Sequence, residues 1–394
     1  MTFDSDPAGP STAIVPRSTG AAAPGARLTG EVVYIYAFDV AYEMQRTPIP
    51  SLLGQTPAQF SVDASKRNPR QVFFYKAQMV RLPALERFGP LGPIRVERSV
   101  KVLPVGAISI TVRVPFAVEH VRDLVAFHDL RFTSGVYLYD EVRELAEEVR
   151  KALAPYSVRL NPTLGEEEAY TVFCVHAPTR GRDGDAVTSE QWMEANRREI
   201  ASLLTEEPDP EQLSIQETDE STARYFSYYK RDLTVIDWDA ALILDEPRYF
   251  DEQIYVMELA NLQLTELEAY DRLLDQAVER AYRDLAAKRF TRWSGATTLR
   301  DLRELRVDLA RLQDELSNIT KFFGDWHLAR IYQGLSSRFH LADWQRTVDQ
   351  KLKTLDEIYQ LLQHDRNNTW MLILELMIVL LFVVDIVFIL FGGK

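Results

Sequence analysis

The chain has 394 residues, a formal net charge of −13 and 46% apolar side chains, which allows about two soluble domains around an ordinary buried core. The acidic balance, with no basic stripe to release counterions, excludes non-specific nucleic-acid binding through charge. A single cysteine, Cys174, excludes an internal disulfide and suits a reducing compartment.

Residues Met1 to Arg27 are rich in Pro, Ala, Gly, Ser and Thr and lack a basic start followed by an apolar core, so they read as a disordered tail rather than a secretory signal. Glu31 to Tyr42 and Gln71 to Val80, rich in Val, Phe and Tyr, predict strands. Gly89-Pro90-Leu91-Gly92 punctuates a turn. The clearest strand alternates Ile108, Ile110, Val112 and Val114 with Ser109, Thr111 and Arg113, one set facing a core and the other facing water. Helices follow at Val118 to Phe127 and Asp140 to Leu153, where Val142, Leu145, Val149 and Leu153 recur at helical spacing. Ser157 to Leu160 and Tyr170 to Val175 return to strand. Thr188-Ser189-Glu190-Gln191 is a capping box for a helix reaching Leu204. Glu206 to Asp219, acidic and broken by Pro208 and Pro210, is a connector with one short helix. Leu233 to Leu244 gives a last strand carrying Asp237-Trp238-Asp239.

Beyond Pro247 the pattern is helical. Leu267, Tyr270, Leu274, Ala277, Ala281 and Leu285 form one seam on a helix from about Asp251 to Lys288. Leu302, Leu305, Leu309, Leu312, Leu316, Ile319 and Phe323 hold a strict heptad seam that must be covered by another helix. After Gly324 and Asp325, Leu328 to Leu335 connects to a third amphipathic helix marked by Trp344, Val348, Leu352, Leu355, Tyr359 and Leu362. Short interruptions favour an antiparallel bundle within one chain over pairing between chains.

The chain closes with an apolar run of about 22 residues, Trp370 to Phe391, long enough for a ~30 Å hydrocarbon core. Its seventeen Leu, Ile, Val and Phe residues supply about −5 to −10 kcal/mol against roughly +2.5 to +3.5 for each central acid, so insertion wins or breaks even despite Glu375 and Asp385. Ten residues at ~100° each bring those two acids within about 80° of one another around the helix, toward a common polar partner. Trp370 suits the membrane interface as an anchor. Lys351, Lys353 and Arg366 precede the run and Lys394 follows it, which favours a cytoplasmic body.

Catalytic chemistry leaves little trace. The histidines His120, His128, His176, His327, His340 and His364 match no zinc-protease spacing, and no Walker loop or dinucleotide glycine pattern occurs. Gly181-Arg182-Asp183-Gly184-Asp185 lacks the ligand spacing of a calcium loop. Asp237 and Asp239 flank Trp238 and read as an exposed strand face in preference to a paired-acid site. Asn318-Ile319-Thr320 and Asn367-Asn368-Thr369 fit the glycosylation pattern but would not meet a glycosylating lumen in this topology. No residue is assigned as catalytic, cofactor-binding or metal-binding, and no cofactor is implied.

The stretch from Asp232 to Phe391, with its Asp232-Leu233 strand, long helices, Tyr332, the Leu352 to Leu361 helix and Leu374-Glu375-Leu376-Met377-Ile378, resembles the membrane-anchored required-for-meiotic-nuclear-division family, a domain of unknown function. That resemblance implies a single-span protein with its soluble domain inside the organelle or cell, in some members supporting translation at the mitochondrial inner membrane. It covers about the last two fifths, and the N-terminal part has no counterpart. The order of an α/β domain, a helical stalk and a C-terminal membrane helix is also similar to CorA-type magnesium channels, but the Gly-Met-Asn signature and a second span are missing. A pore would need several Asp385 carboxylates converging in an oligomer.

The expected fold is α+β: a mixed, largely antiparallel sheet with helices, followed by a long-helix bundle or coiled coil and one transmembrane helix. Its divisions are a disordered tail (1–27), a cytoplasmic α+β domain (28–247), a bundle or coiled-coil stalk (248–366) and a transmembrane anchor (367–394). The expected role is that of a tail-anchored, single-pass scaffold that self-assembles or holds a protein partner at the bilayer, without nucleic acid. An oligomeric CorA-like ion transporter and an enzyme of unrecognised type are the alternatives.

Overall fold

A computed structural model describes residues 27–45, 47–60, 77–90, 92–177, 187–286 and 326–391. Eleven strands are described: β1 (Leu28–Asp39), β2 (Ala41–Met44), β3 (Ala58–Gln59), β4 (Gln78–Gly89), β5 (Gly92–Val102), β6 (Ala107–Val118), β7 (Ser157–Leu160), β8 (Glu168–His176), β9 (Tyr225–Phe226), β10 (Leu233–Ile236) and β11 (Ala240–Asp245). The α-helices are α1 (Leu138–Leu153), α2 (Ser189–Leu204), α3 (Ile215–Ser221), α4 (Phe250–Ala286), α5 (Trp326–Arg338) and α6 (Leu341–Phe391).

Nine strands make one sheet in the order β3-β4-β5-β6-β1-β8-β11-β10-β9, and β2 pairs with β7 beside it. All pairs are antiparallel except β8 with β11. The fold is thus the expected α+β mixture of sheet, helices and a C-terminal apolar helix. β1 lies at the centre, bonded to β6 and β8, and its side chains from Val32 to Phe38 are buried on both faces. Alternation sorts them. Val32, Tyr34, Tyr36 and Phe38 face a core shared with α1 and α2, while Val33 and Ile35 face a second core built with α4 and α5. The sheet is therefore sandwiched between two helical layers, which explains why its central strand reads as a near-continuous apolar run.

Local chemistry sets several boundaries. Thr188 accepts from the Gln191 N–H (3.3 Å) and Gln191 accepts from the Thr188 N–H (3.2 Å), so α2 begins with the expected capping box. The Glu31 to Tyr42 strand is two strands, because the Val40 and Ala41 N–H groups both turn to the Gly106 carbonyl (3.1 and 3.0 Å). Val118 to Phe127 contains a 3-10 helix (Val121–Phe127), not an α-helix.

Leu233 to Leu244 is a hairpin rather than one strand: the Asp237 carboxylate accepts from the Trp238 N–H at 2.8 Å and the Asp237 N–H bonds the Ala240 carbonyl, closing a tight turn between β10 and β11. The polar face of β6 also departs from expectation. Ser109 and Thr111 do not meet water; they are buried under α4.

Candidate functional site: a polar seam beneath α4 and an exposed apolar helix

The first half of α4 lies across the sheet and carries polar side chains where a covering helix ordinarily carries apolar ones. Gln253, Glu258, Asn261, Gln263, Thr265 and Glu266 are all buried. The sheet answers them. Arg113 on β6 pairs with Glu31 on β1 (3.0 Å) and with Asp251 at the start of α4. Ser109 donates to Glu258, whose other oxygen takes the Lys101 ammonium of β5. Lys101 in turn sits 4.1 Å from the Phe60 ring centre, a cation–π contact that suits a desolvated ammonium. Thr234 donates to Gln253, which donates to Asp245 (3.0 Å); Asn261 donates to the Glu168 carbonyl (2.9 Å); Tyr332 of α5 donates to Gln263 (2.6 Å).

Several acids along this interface hold their protons more tightly than usual. Burial pushes the Asp245 carboxyl up to about 7 and Asp39, which accepts from Asn161 at 3.0 Å, up to about 6. Burial raises Glu168 as well, reinforced by a hydrogen bond with Glu268 of α4. The neighbouring carboxyl acts in the same direction as burial, because a second negative charge away from water disfavours ionisation of Glu168. Glu31 is raised by burial despite Arg113. Asp245, Glu168 and Glu31 are spent on joining α4 to the sheet, whereas Asp39 is spent on Asn161 at the end of β7. Ser109, Glu258 and Lys101 line up as a hydroxyl, an acid and an amine, but each is buried and the line serves packing. Cys174 is also fully buried, which holds its thiol far above the usual range.

The second half of α4 leaves the sheet and runs beside α6. Leu274 and Ala281 pack with Val348, Leu355, Ile358 and Tyr359, the two seams expected from the sequence. Each buried Leu, Ile or Val is worth roughly 1.5–3 kcal/mol. Lys351 also bridges Asp271 (2.7 Å) and Asp275 (2.6 Å), but partly exposed ion pairs add only about 0–1 kcal/mol, so the apolar seam does the holding. α6 then continues unbroken for 51 residues in all. From Trp370 to Val387 none of it is buried, and it is long and apolar enough to cross a membrane.

Glu375, Asp385 and Trp370 all lie on this exposed stretch, and the structure brings no other described side chain to the two acids. The heptad seam Leu302, Leu305, Leu309, Leu312, Leu316, Ile319 and Phe323 lies outside the described residues, as do Asn318 and the Gly181 to Asp185 loop. His120 and His128 flank the 3-10 helix; His128 sits 3.0 Å from Glu206, and the two do not form a common site. Among the described residues no group of three or more His, Cys, Asp or Glu side chains is arranged to hold a metal ion. A cleft of about 710 Å³ opens between the end of β6, the 3-10 helix and the turn after α2, lined by residues of both charge signs including Arg27, Glu119, Arg122 and Glu206. Sequence reading missed the α4 polar seam. The signal was the run of Glu258, Asn261, Gln263, Thr265 and Glu266 inside an otherwise apolar helical stretch.

Fold and site together define an α+β protein whose sheet is covered by α4, which then pairs beyond the sheet with α6, whose far half is an exposed apolar stretch. The chain belongs to the family described as "Uncharacterized protein MJ0711, N-terminal domain", which matches residues 29–251, from β1 to the first residues of α4. It is 25% identical over 247 residues to the uncharacterized protein MJ0711 of Methanocaldococcus jannaschii, an alignment that covers 63% of this chain and 73% of that one. No solved structure matches the chain.

Proposed function

We infer that this protein is a single-span, membrane-anchored binding protein, with α6 fixing the α+β domain to a bilayer and the domain holding a partner there. The observation that carries the reading is α6 itself: one helix, clamped to α4 through Val348, Leu355 and Ile358, then exposed on every side from Trp370 to Val387. Exposed apolar patches beyond a few hundred Å² mark a membrane or a partner. Eighteen residues at ~1.5 Å each reach about 27 Å, close to the hydrocarbon thickness. Trp370 at the head of that stretch supports an interfacial position. The resemblance of this region to the required-for-meiotic-nuclear-division family favours the same arrangement, with the domain on the side where it was made. A binding role for the domain is favoured over catalysis because its perturbed acids and its buried lysine are occupied in contacts between elements.

Carbonate extraction of membranes from expressing cells tests the anchor. The full chain is expected to stay in the pellet, and a chain lacking Trp370 to Lys394 is expected in the supernatant. Full-length protein in the high-speed supernatant without detergent would overturn the reading, and protease protection of sealed vesicles reports the side on which the domain lies.

A further inference from the structure

The last strand of the nine-stranded sheet, β9, bonds only to β10; among the described residues nothing pairs with its other edge. Helix α5 lies directly against it. Gly334 makes the approach feasible, since a Cβ there would fall 2.7 Å from the Phe226 ring. One turn earlier the Arg330 guanidinium stands 5.5 Å from the centre of that ring, and one turn before it Trp326 is 82% exposed. Steps of four put Trp326, Arg330 and Gly334 in one stripe along the sheet edge.

Past β9 the chain presents Tyr228 and Tyr229, about half exposed, with their rings edge to face at 4.8 Å. This loop is held in place. The buried Asp232 carboxylate accepts from the N–H groups of Tyr228 (2.8 Å) and Tyr229, and the Lys230 carbonyl accepts from the Ser189 N–H (2.8 Å). Fixing the loop beforehand lowers the entropic cost of docking on it. Arg224, Lys230 and Arg330 have no carboxylate partner among the described residues, although the chain as a whole carries −13.

We propose that the β9 edge and the Trp326–Arg330 stripe of α5 form a docking groove for an extended acidic peptide segment, added to the sheet as a further strand. An open edge offers unpaired main-chain donors and acceptors to such a strand, and a helix beside the edge supplies side-chain selection. Tyr, Trp and Arg are the residue types that carry most interface energy. These three cations, none paired with a carboxylate among the described residues, select acid. Aromatic and basic side chains also stack bases and bind phosphate, but base stacking makes no use of the unpaired main-chain groups of a sheet edge, which an added strand does. The proposal deepens the binding role given to the domain and does not depend on the anchor.

The test uses the full chain in detergent micelles and a fluorescein-labelled peptide of about ten residues alternating Glu and Val, a length that covers a typical strand, read by fluorescence anisotropy. Saturable binding is expected, weakened about tenfold or more by Arg330→Glu and by Trp326→Ala, and retained by Arg330→Lys. The same peptide N-methylated along one edge should lose binding, because its charge is kept and its main-chain donors are removed. Thermal melts of each variant separate lost docking from lost folding. No binding, binding indifferent to Arg330→Glu in a folded variant, equal binding of the N-methylated peptide, or preference for an oligothymidylate over the peptide would each overturn the proposal. Carbonate extraction of the same variants reads the anchor separately, so peptide loss with intact pelleting counts against the groove alone.

Discussion

Arg338, the last residue of α5, is joined to Asp237 in the turn between β10 and β11: its Nε lies 2.7 Å from Oδ1, and Nη2 bonds the same oxygen. Nη1 reaches Glu220 of α3 at 3.1 Å. The Tyr170 hydroxyl, fully buried, donates to the Asp237 and Ala240 carbonyls from below, both at 3.1 Å. Three elements of the fold, α5, α3 and the β10–β11 turn, therefore meet at one guanidinium, and β8 braces the same turn through Tyr170. Burial nevertheless pushes the Asp237 carboxyl up, against the pull of Arg338.

Removing Arg338 leaves that carboxylate buried without a counter-ion. Arg338→Ala is expected to cost roughly 3 kcal/mol, the usual penalty for breaking a buried pair from one side. Arg338→Met combined with Asp237→Asn should recover much of it, because no charge is then stranded and the side-chain acceptor for the Trp238 N–H is kept. Urea unfolding in detergent checks this, and a double variant no more stable than the single one would count against the account.

Acidity provides a second test. Asp245, Asp39 and Glu168 have folded-state values of about 7, 6 and 8 against ordinary values of 3.8, 3.8 and 4.5. The folded chain thus binds more protons than the unfolded one, and the stability these groups contribute is whole below about pH 4 and is lost as pH rises through 6 to 8. Melting temperature should fall between pH 5 and pH 9. Asp245→Asn and Glu168→Gln should each flatten that fall, at about 1 °C per kcal/mol for a chain of this size. A slope unchanged in both variants would refute the assignment.

Two glycines with positive φ make a paired prediction. Gly106 has φ +99° and a Cβ there would lie 1.8 Å from the Ala41 carbonyl oxygen, while Gly54 has φ +75° and open space around it. Gly106→Ala must push the turn before β6 away from the backbone of β2 and should cost about 3 kcal/mol or more. Gly54→Ala carries only the backbone strain, about 1 kcal/mol. Comparable losses in chemical denaturation would show that the clash is relieved elsewhere.

The α4–α6 contact separates packing from charge. Leu355→Ala removes a fully buried side chain and should cost 2–5 kcal/mol. Lys351→Ala removes two partly exposed ion pairs and should cost less than about 1 kcal/mol. Proteolysis of the helix pair, followed over time, ranks the two variants; equal protection would contradict the ordering.

Periodicity made the helices and β6 readable in the amino-acid sequence, because both obey one spacing over many residues. β4 and β5 were harder. Pro83 interrupts β4, the pairing with β5 shifts between Leu82 and Leu85, and charged residues such as Arg81, Glu86, Arg95 and Glu97 occupy the solvent side of both strands. Asp237-Trp238-Asp239 hid a turn inside an apolar run because the closing bond comes from a side chain. The hardest feature was the destination of Ser109, Thr111 and Arg113: alternation tells which residues share a face, and it took Glu258 and Asp251, some 140 positions later, to show that this face is covered. The exposed stretch and its acids were legible from length and composition, while the docking edge was not, since β9 is two residues long.

If the domain is borne on a bilayer, the unbroken course of α6 fixes a stand-off. From Leu341 to Trp370 the helix rises about 44 Å at ~1.5 Å per residue, with no slack along the way. Such a rod behaves as a lever rather than a leash: any tilt or rotation imposed on the part in lipid is transmitted to α4 and through it to the sheet, so cargo on the domain would be aimed as well as retained.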